Sequence, residues 1–145
     1  MMAVATLSLP PTLKIQKFVE LFKLAYMHMR FVHPMLGVTI ETNVLSIPLL
    51  PCFVYEQVTS FDEVQAWADR TVHVHTCESE QDRALSVTDR IQCVRNTVGT
   101  RPLPISQHTR EWHIICFGRE EDAHHVALMS YCCLLYTSPS PRDVE

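Results

Sequence analysis

Glycine is scarce in this chain of 145 residues: there are three, Gly37, Gly99 and Gly118. Loops that cradle phosphate need clustered glycines, so that backbone N–H groups can close on the anion. Neither a dinucleotide-binding fingerprint nor a P-loop can be written here. Basic charge is also short, with 12 Lys and Arg against 16 Asp and Glu and a net charge of −4. That balance offers no cationic surface for nucleic acid, and no acidic run marks a solvated tail. The uncharged stretch from Thr42 to Tyr55 is too short for a bilayer and contains Pro48 and Pro51, so no membrane span is expected. The apolar opening MMAVATLSL has no basic start and runs into Pro10-Pro11, which argues against a secretory leader. With 47% hydrophobic and 19% charged residues, the composition is that of one globular domain with material for a core.

Residues Cys133 to Asp143, CLLYTSPSPRD, resemble the translation of a transposon-end sequencing adaptor read from its second base, matching at all eleven codons. Ser138-Pro139-Ser140-Pro141 also continues neither a strand nor a helix. The expectation is therefore a truncated domain over 1–132 followed by an adaptor-derived tail over 133–145. The alternative is a genuine Ser-Pro-rich flexible tail. Five cysteines precede the tail: Cys52, Cys77, Cys93, Cys116 and Cys132. Scattered, odd in number and set in apolar surroundings, they read as reduced thiols of a cytoplasmic protein. Because Cys133 belongs to the tail, the Cys132-Cys133 pair is not taken as a metal or vicinal disulfide site.

Thr12 is placed to cap a helix running to about Phe31. Ile15, Phe18, Val19, Phe22, Ala25, Tyr26 and Met29 recur at three- and four-residue steps. Lys14, Lys17, Glu20, Lys23 and Arg30 take the other side. Pro34 stops the helix, and Val38–Glu41 reads as a short strand. Cys52–Val58 reads as a second strand. Ser60 and Glu63 form a capping box that opens a helix to about Arg70. Thr71–Cys77 alternates as a strand, Ala84–Val94 is weakly helical, and Gly99–Arg110 is a connection. Trp112–Phe117 and His124–Cys132 form a hairpin about the charged turn Gly118–Asp122. The mixture predicts an α/β (α+β two-layer) fold, a mixed sheet covered by helices.

Three passages in this order resemble the N-terminal domain of the CoA-dependent acyltransferase superfamily. That superfamily includes chloramphenicol acetyltransferase, condensation domains, and alcohol or trichothecene O-acetyltransferases. MRFVHPMLGVTIE (Met29–Glu41) is similar to its opening helix, R-x-x-HP turn and first strand. FVYEQVTSFDEVQAWADRT (Phe53–Thr71) is similar to the next strand and the tryptophan-bearing helix. WHIICFGREEDAHHVALMSYC (Trp112–Cys132) is similar to the hairpin leading into the catalytic loop.

The resemblance implies a partial chloramphenicol acetyltransferase-like domain. It also implies an intact protein that moves an acyl group from acyl-CoA, as co-substrate, to a small-molecule alcohol or amine. In the family the catalytic base is the second histidine of His-His-x-x-x-Asp-Gly. His124-His125 is the only histidine pair, yet Met129 and Ser130 stand where Asp and Gly are needed. The pair therefore reads as the start of the strand before the motif. The His-x-x-x-Asp-Gly loop is expected after Cys132, so the chain as it stands carries no catalytic residue and no bound cofactor, and is expected to be inactive.

Other constellations read differently. His73, His75 and Cys77 alternate on one strand face, which is either a half-exposed surface or, with a fourth ligand, a small zinc module. No Cys-x-x-Cys or His-x-x-x-His accompanies them, and no metal is assigned. Glu120, Glu121 and Asp122 read as a solvated turn. His33 reads as a structural histidine closing the helix, and His113 as a strand residue. A non-catalytic binding or assembly domain on the same scaffold is the remaining alternative. Truncation would leave the last strand, His124–Cys132, as a poorly covered edge and make the chain prone to aggregate.

Overall fold

A computed structural model describes residues 2–42, 51–100, 110–118 and 124–132. The expected turn residues Glu120, Glu121 and Asp122, the middle of the 99–110 connection and the segment 133–145 lie outside the described residues.

The apolar opening residues form a strand, β1 (Met2–Ser8). A turn in which Leu13 donates to the Pro10 carbonyl at 2.9 Å leads to the first helix, α1 (Ile15–Val32). Its N-cap is Lys14, and no side chain caps it. The capping role expected of Thr12 is thus corrected: the turn at Pro10–Leu13 delays the helix past it. Pro34 starts a 3-10 turn (Pro34–Gly37), followed by β2 (Val38–Thr42) and β3 (Pro51–Tyr55), an antiparallel pair.

The second helix, α2 (Phe61–Thr71), starts at Ser60, whose Oγ accepts the Glu63 amide at 3.2 Å. The Glu63 carboxylate reaches back to Thr59, taking its amide at 2.6 Å and its hydroxyl at 3.1 Å. Next come β4 (Val72–His75) and then two helices, α3 (Glu80–Ala84) and α4 (Val87–Gly99), where a single weak helix was expected. Ser79 and Ser86 each accept the amide three residues on, from Asp82 and Asp89, and so start a helix apiece. The strands β5 (Arg110–Phe117) and β6 (His125–Cys132) complete the described chain.

The main sheet has the order β1-β6-β5-β4. β6 lies antiparallel to both β1 and β5, while β4 runs parallel to β5. A parallel neighbour requires a crossover, which α3 and α4 supply. The sheet is mixed and helix-covered, and the cover lies on both faces. On one face Ile114, Cys116 and Val126 pack with Ile15, Tyr26, Met27, Val64 and Trp67 of α1 and α2. On the other, Ile115, Ala127 and Met129 pack with Val94 and Val98 of α4. The alternation of β5 and β6 sends adjacent apolar residues to opposite layers, as a strand buried on both faces requires.

Two expectations are corrected by this arrangement. β6 is not an edge, because β1 covers it over Met2–Ser8. Among the described residues the edges of the main sheet are β1 and β4. Arg30, placed by its charge on the polar side of α1, is fully buried, whereas Met29 is 42% exposed. Arg30 Nη2 donates to the Glu56 carbonyl at 2.6 Å, and its guanidinium lies 4.6 Å from the Trp67 ring centroid. A charged end that finds an acceptor and an aromatic face can be buried where charge alone predicts exposure.

Candidate functional site

A cavity of about 570 Å3 opens between the C-terminal half of α1, the 3-10 turn and the start of β5. Phe22, Tyr26, Met29 and Trp112 supply apolar walls, and Arg110 and His33 supply the polar groups. The aromatic residues form one packed set. Phe22 meets Trp112 edge-on with centroids 5.5 Å apart, and Tyr26 stacks on Trp67 at 4.5 Å. Burial pushes the Tyr26 phenol up to about 12, an effect that nearby Thr71, Arg110 and Arg30 offset only in part.

β5 begins at Arg110, whose partner across the ladder is Cys132, the last residue of β6. The chain therefore leaves the sheet at the end where Arg110 and Trp112 line the cavity. His33, expected to close the helix, is indeed the residue at the C-cap of α1, and it faces this same cavity.

The histidines of β4 and β5 form a second cluster, on the α4 face of the sheet. His113 is fully buried and stacks with His73 on one side, centroids 5.0 Å apart, and with His75 on the other at 5.2 Å. His75 Nε2 and His113 Nδ1 share a hydrogen bond of 2.9 Å. Glu111 Oε2 lies 3.4 Å from His73 Nε2 and 3.6 Å from His113 Nε2. The parallel register of His73 with His113 puts these rings side by side.

The zinc alternative required His73, His75 and Cys77 to converge, and they do not. β4 ends at His75, and Cys77 Sγ donates instead to the Cys116 carbonyl at 3.4 Å. The His73 and His113 rings are inclined by only 25°, so their in-plane lone pairs run alongside one another rather than meeting at a point. Among the described residues no group of three His, Cys, Asp or Glu is placed to hold a metal.

Arg90, which the sequence did not single out, is a structural clamp. Its Nε donates to the Cys116 carbonyl at 3.2 Å and its Nη2 to the Thr76 carbonyl at 2.6 Å, while Nη1 lies 3.4 Å from Asp82. It ties α4 to the ends of β4 and β5. His125 opens β6, with Nδ1 3.1 Å from the Ser8 hydroxyl, and the His124 carbonyl accepts the Leu9 amide at 2.6 Å. The histidine pair is thus engaged with the strand β1 side of the sheet, and the cavity is lined by other residues. Cavity residues Arg110 and Trp112 were missed as a site because the features that unite them with α1 are separated by some eighty positions of chain.

The main sheet is mixed, with helices on both faces and a cavity at the end of its central hairpin, an α/β arrangement. Among solved structures the chain is similar to a trichothecene 15-O-acetyltransferase from Fusarium sporotrichioides. The TM-score is 0.64 at 17% identity, covering 90% of this chain and 25% of that one. It is also similar to a condensation domain of the enacyloxin polyketide synthase, with TM-score 0.47 and 10% identity, covering 91% of this chain and 21% of that one. The first likeness establishes the fold. The chain spans about a quarter of the length of the acetyltransferase it matches. No known family's sequence profile matches the chain, and no curated protein does. Among the described residues no helix is long and apolar enough to cross a membrane.

Proposed function

We propose that this chain is the N-terminal portion of a CoA-dependent acyltransferase acting on an alcohol or amine, and that by itself it lacks the catalytic base. The observation that carries the reading is the pairing of Cys132 with Arg110 at the rim of the cavity. A loop that follows β6 directly would emerge beside the cavity, where a His-x-x-x-Asp-Gly histidine is needed. A cytoplasmic setting, read from the scattered thiols, completes the proposal.

In the intact protein that histidine, as neutral imidazole, takes the proton of the acceptor O–H or N–H. The acceptor heteroatom attacks the thioester carbonyl, and the C–S bond then breaks. CoA leaves as thiolate and recovers the proton from the imidazolium, so the base is regenerated. The residues of the present chain would bind and orient substrate: the aromatic walls hold apolar groups out of water, and Arg110 and His33 supply the polar contacts. The base itself is not among the described residues.

Two proteins test this: the present chain and the uninterrupted product of the same gene, each assayed for thiol release from acyl-CoA with alcohol and amine acceptors. The expected result is no turnover by the present chain and turnover by the longer product, abolished when the motif histidine is changed to alanine. Turnover by the present chain would overturn the reading. So would an inactive longer product lacking the histidine, which would identify a non-catalytic assembly domain.

A further inference from the structure

The cavity has a polarity of its own. At about 570 Å3 it lies within the roughly 300–1,000 Å3 range of small-molecule pockets. Its walls are apolar, with Phe22, Tyr26, Met29 and Trp112 among them, and its polar groups are the Arg110 guanidinium, the His33 imidazole and the Tyr26 hydroxyl. No carboxylate lines it among the described residues. Glu111, next to Arg110 in sequence, points to the opposite face of β5, where it meets His73 and His113. Arg110 is exposed and has no ion-pair partner among the described residues, yet it lies near enough to the Tyr26 phenol to act on it electrostatically. An apolar chamber with one guanidinium at its edge and no internal anion is complementary to an apolar molecule ending in a single negative charge. A planar carboxylate also fits the fork of an arginine.

We propose that this cavity is a binding site for a medium-chain fatty carboxylate, with its chain against Phe22, Tyr26 and Trp112 and its carboxylate on Arg110, assisted by His33. The assignment goes beyond the acyl-transfer reading and needs no residue after Cys132. Binding can therefore be found or lost independently of catalysis.

The test is calorimetric titration of the whole chain with decanoate, below its micellar concentration, beside decanol and decyltrimethylammonium as neutral and cationic controls. Decanoate should bind saturably at one site, about tenfold or more tighter than decanol, the margin a charge-assisted hydrogen bond supplies, with the cation weakest. Arg110→Met should bring decanoate down to the level of decanol and leave decanol binding unchanged. Because Arg110 is exposed, this variant should unfold at the wild-type temperature. Ala25→Trp, which fills the cavity from an exposed position on α1, should abolish binding of both. Equal binding of the three probes, an undiminished preference in Arg110→Met, persistence of binding in Ala25→Trp, or no saturable binding at all would each overturn the proposal.

Discussion

A β-carbon placed on Gly37 would lie 2.7 Å from Nε of Arg30. Gly37 ends the 3-10 turn and Arg30 lies in the last turns of α1, so this contact fixes how the chain folds back after Pro34. The glycine is needed for close approach: the guanidinium occupies the space a side chain would take, and it also lies over the Trp67 ring. Gly37→Ala should cost about 1–3 kcal/mol, the ordinary penalty for overpacking, read as a lower urea midpoint with unchanged slope. In an Arg30→Met background the same glycine substitution should cost much less, because the flexible thioether can yield. Full stability of Gly37→Ala alone would mean that Arg30 moves aside freely.

Tyr26 should ionise above the ordinary tyrosine range. Burial favours the neutral phenol in the folded state and raises its pKa to about 12. The stabilisation is complete below the ordinary tyrosine range and is lost as pH rises from about 10 through the folded value. A delayed phenolate absorbance step should be present and should be missing in Tyr26→Phe. Identical phenolate titration curves above the ordinary range in the two proteins would contradict this packing.

The helix caps predict the opposite dependence in acid. Hydrogen bonds from the Thr59 amide and hydroxyl hold the Glu63 carboxyl below the usual carboxylate range, and the Ser79 hydroxyl and amide do the same for Asp82. A depressed folded pKa gives stability that is present above the unfolded value and lost as pH falls through the folded one. Melting temperature should therefore drop below the ordinary carboxylate range, and drop less steeply in the double variant Glu63→Gln, Asp82→Asn. Ser60→Ala should cost about 1 kcal/mol at neutral pH.

These caps also show what was legible in the sequence. Ser60 with Glu63 marked the start of α2, and the hairpin of β5 and β6 followed from two apolar runs on either side of a charged turn. Ser79 with Asp82 and Ser86 with Asp89 carry the same signal in its aspartate form, and the weak apolar periodicity between them hid it. Arg30 was misplaced because charge outweighed position, although its partners Glu56 and Trp67 are 26 and 37 positions on. β1 was invisible because its partner β6 lies more than a hundred residues away. The cavity was equally hidden, since it joins α1 to the first residue of β5.

β1 supplies one whole side of β6, through seven paired positions. Deleting residues 2–8 should expose β6 as an uncharged edge and convert the protein from a cooperative folder into one that binds hydrophobic dye and aggregates. The intact chain should do neither, and its β6 amides should exchange slowly on both sides of the strand. Equal dye binding by the two proteins would show that β1 does not cover β6.

The reading of the chain as one part of an acyl-transfer enzyme is tested most directly by the nucleotide sequence of its gene beyond codon 132. The account predicts that the native frame departs from Cys133-Leu134-Leu135 and encodes His-x-x-x-Asp-Gly within a few residues of Tyr131. A native frame that continues through Leu134, Leu135 and Tyr136, with no such histidine, would contradict it.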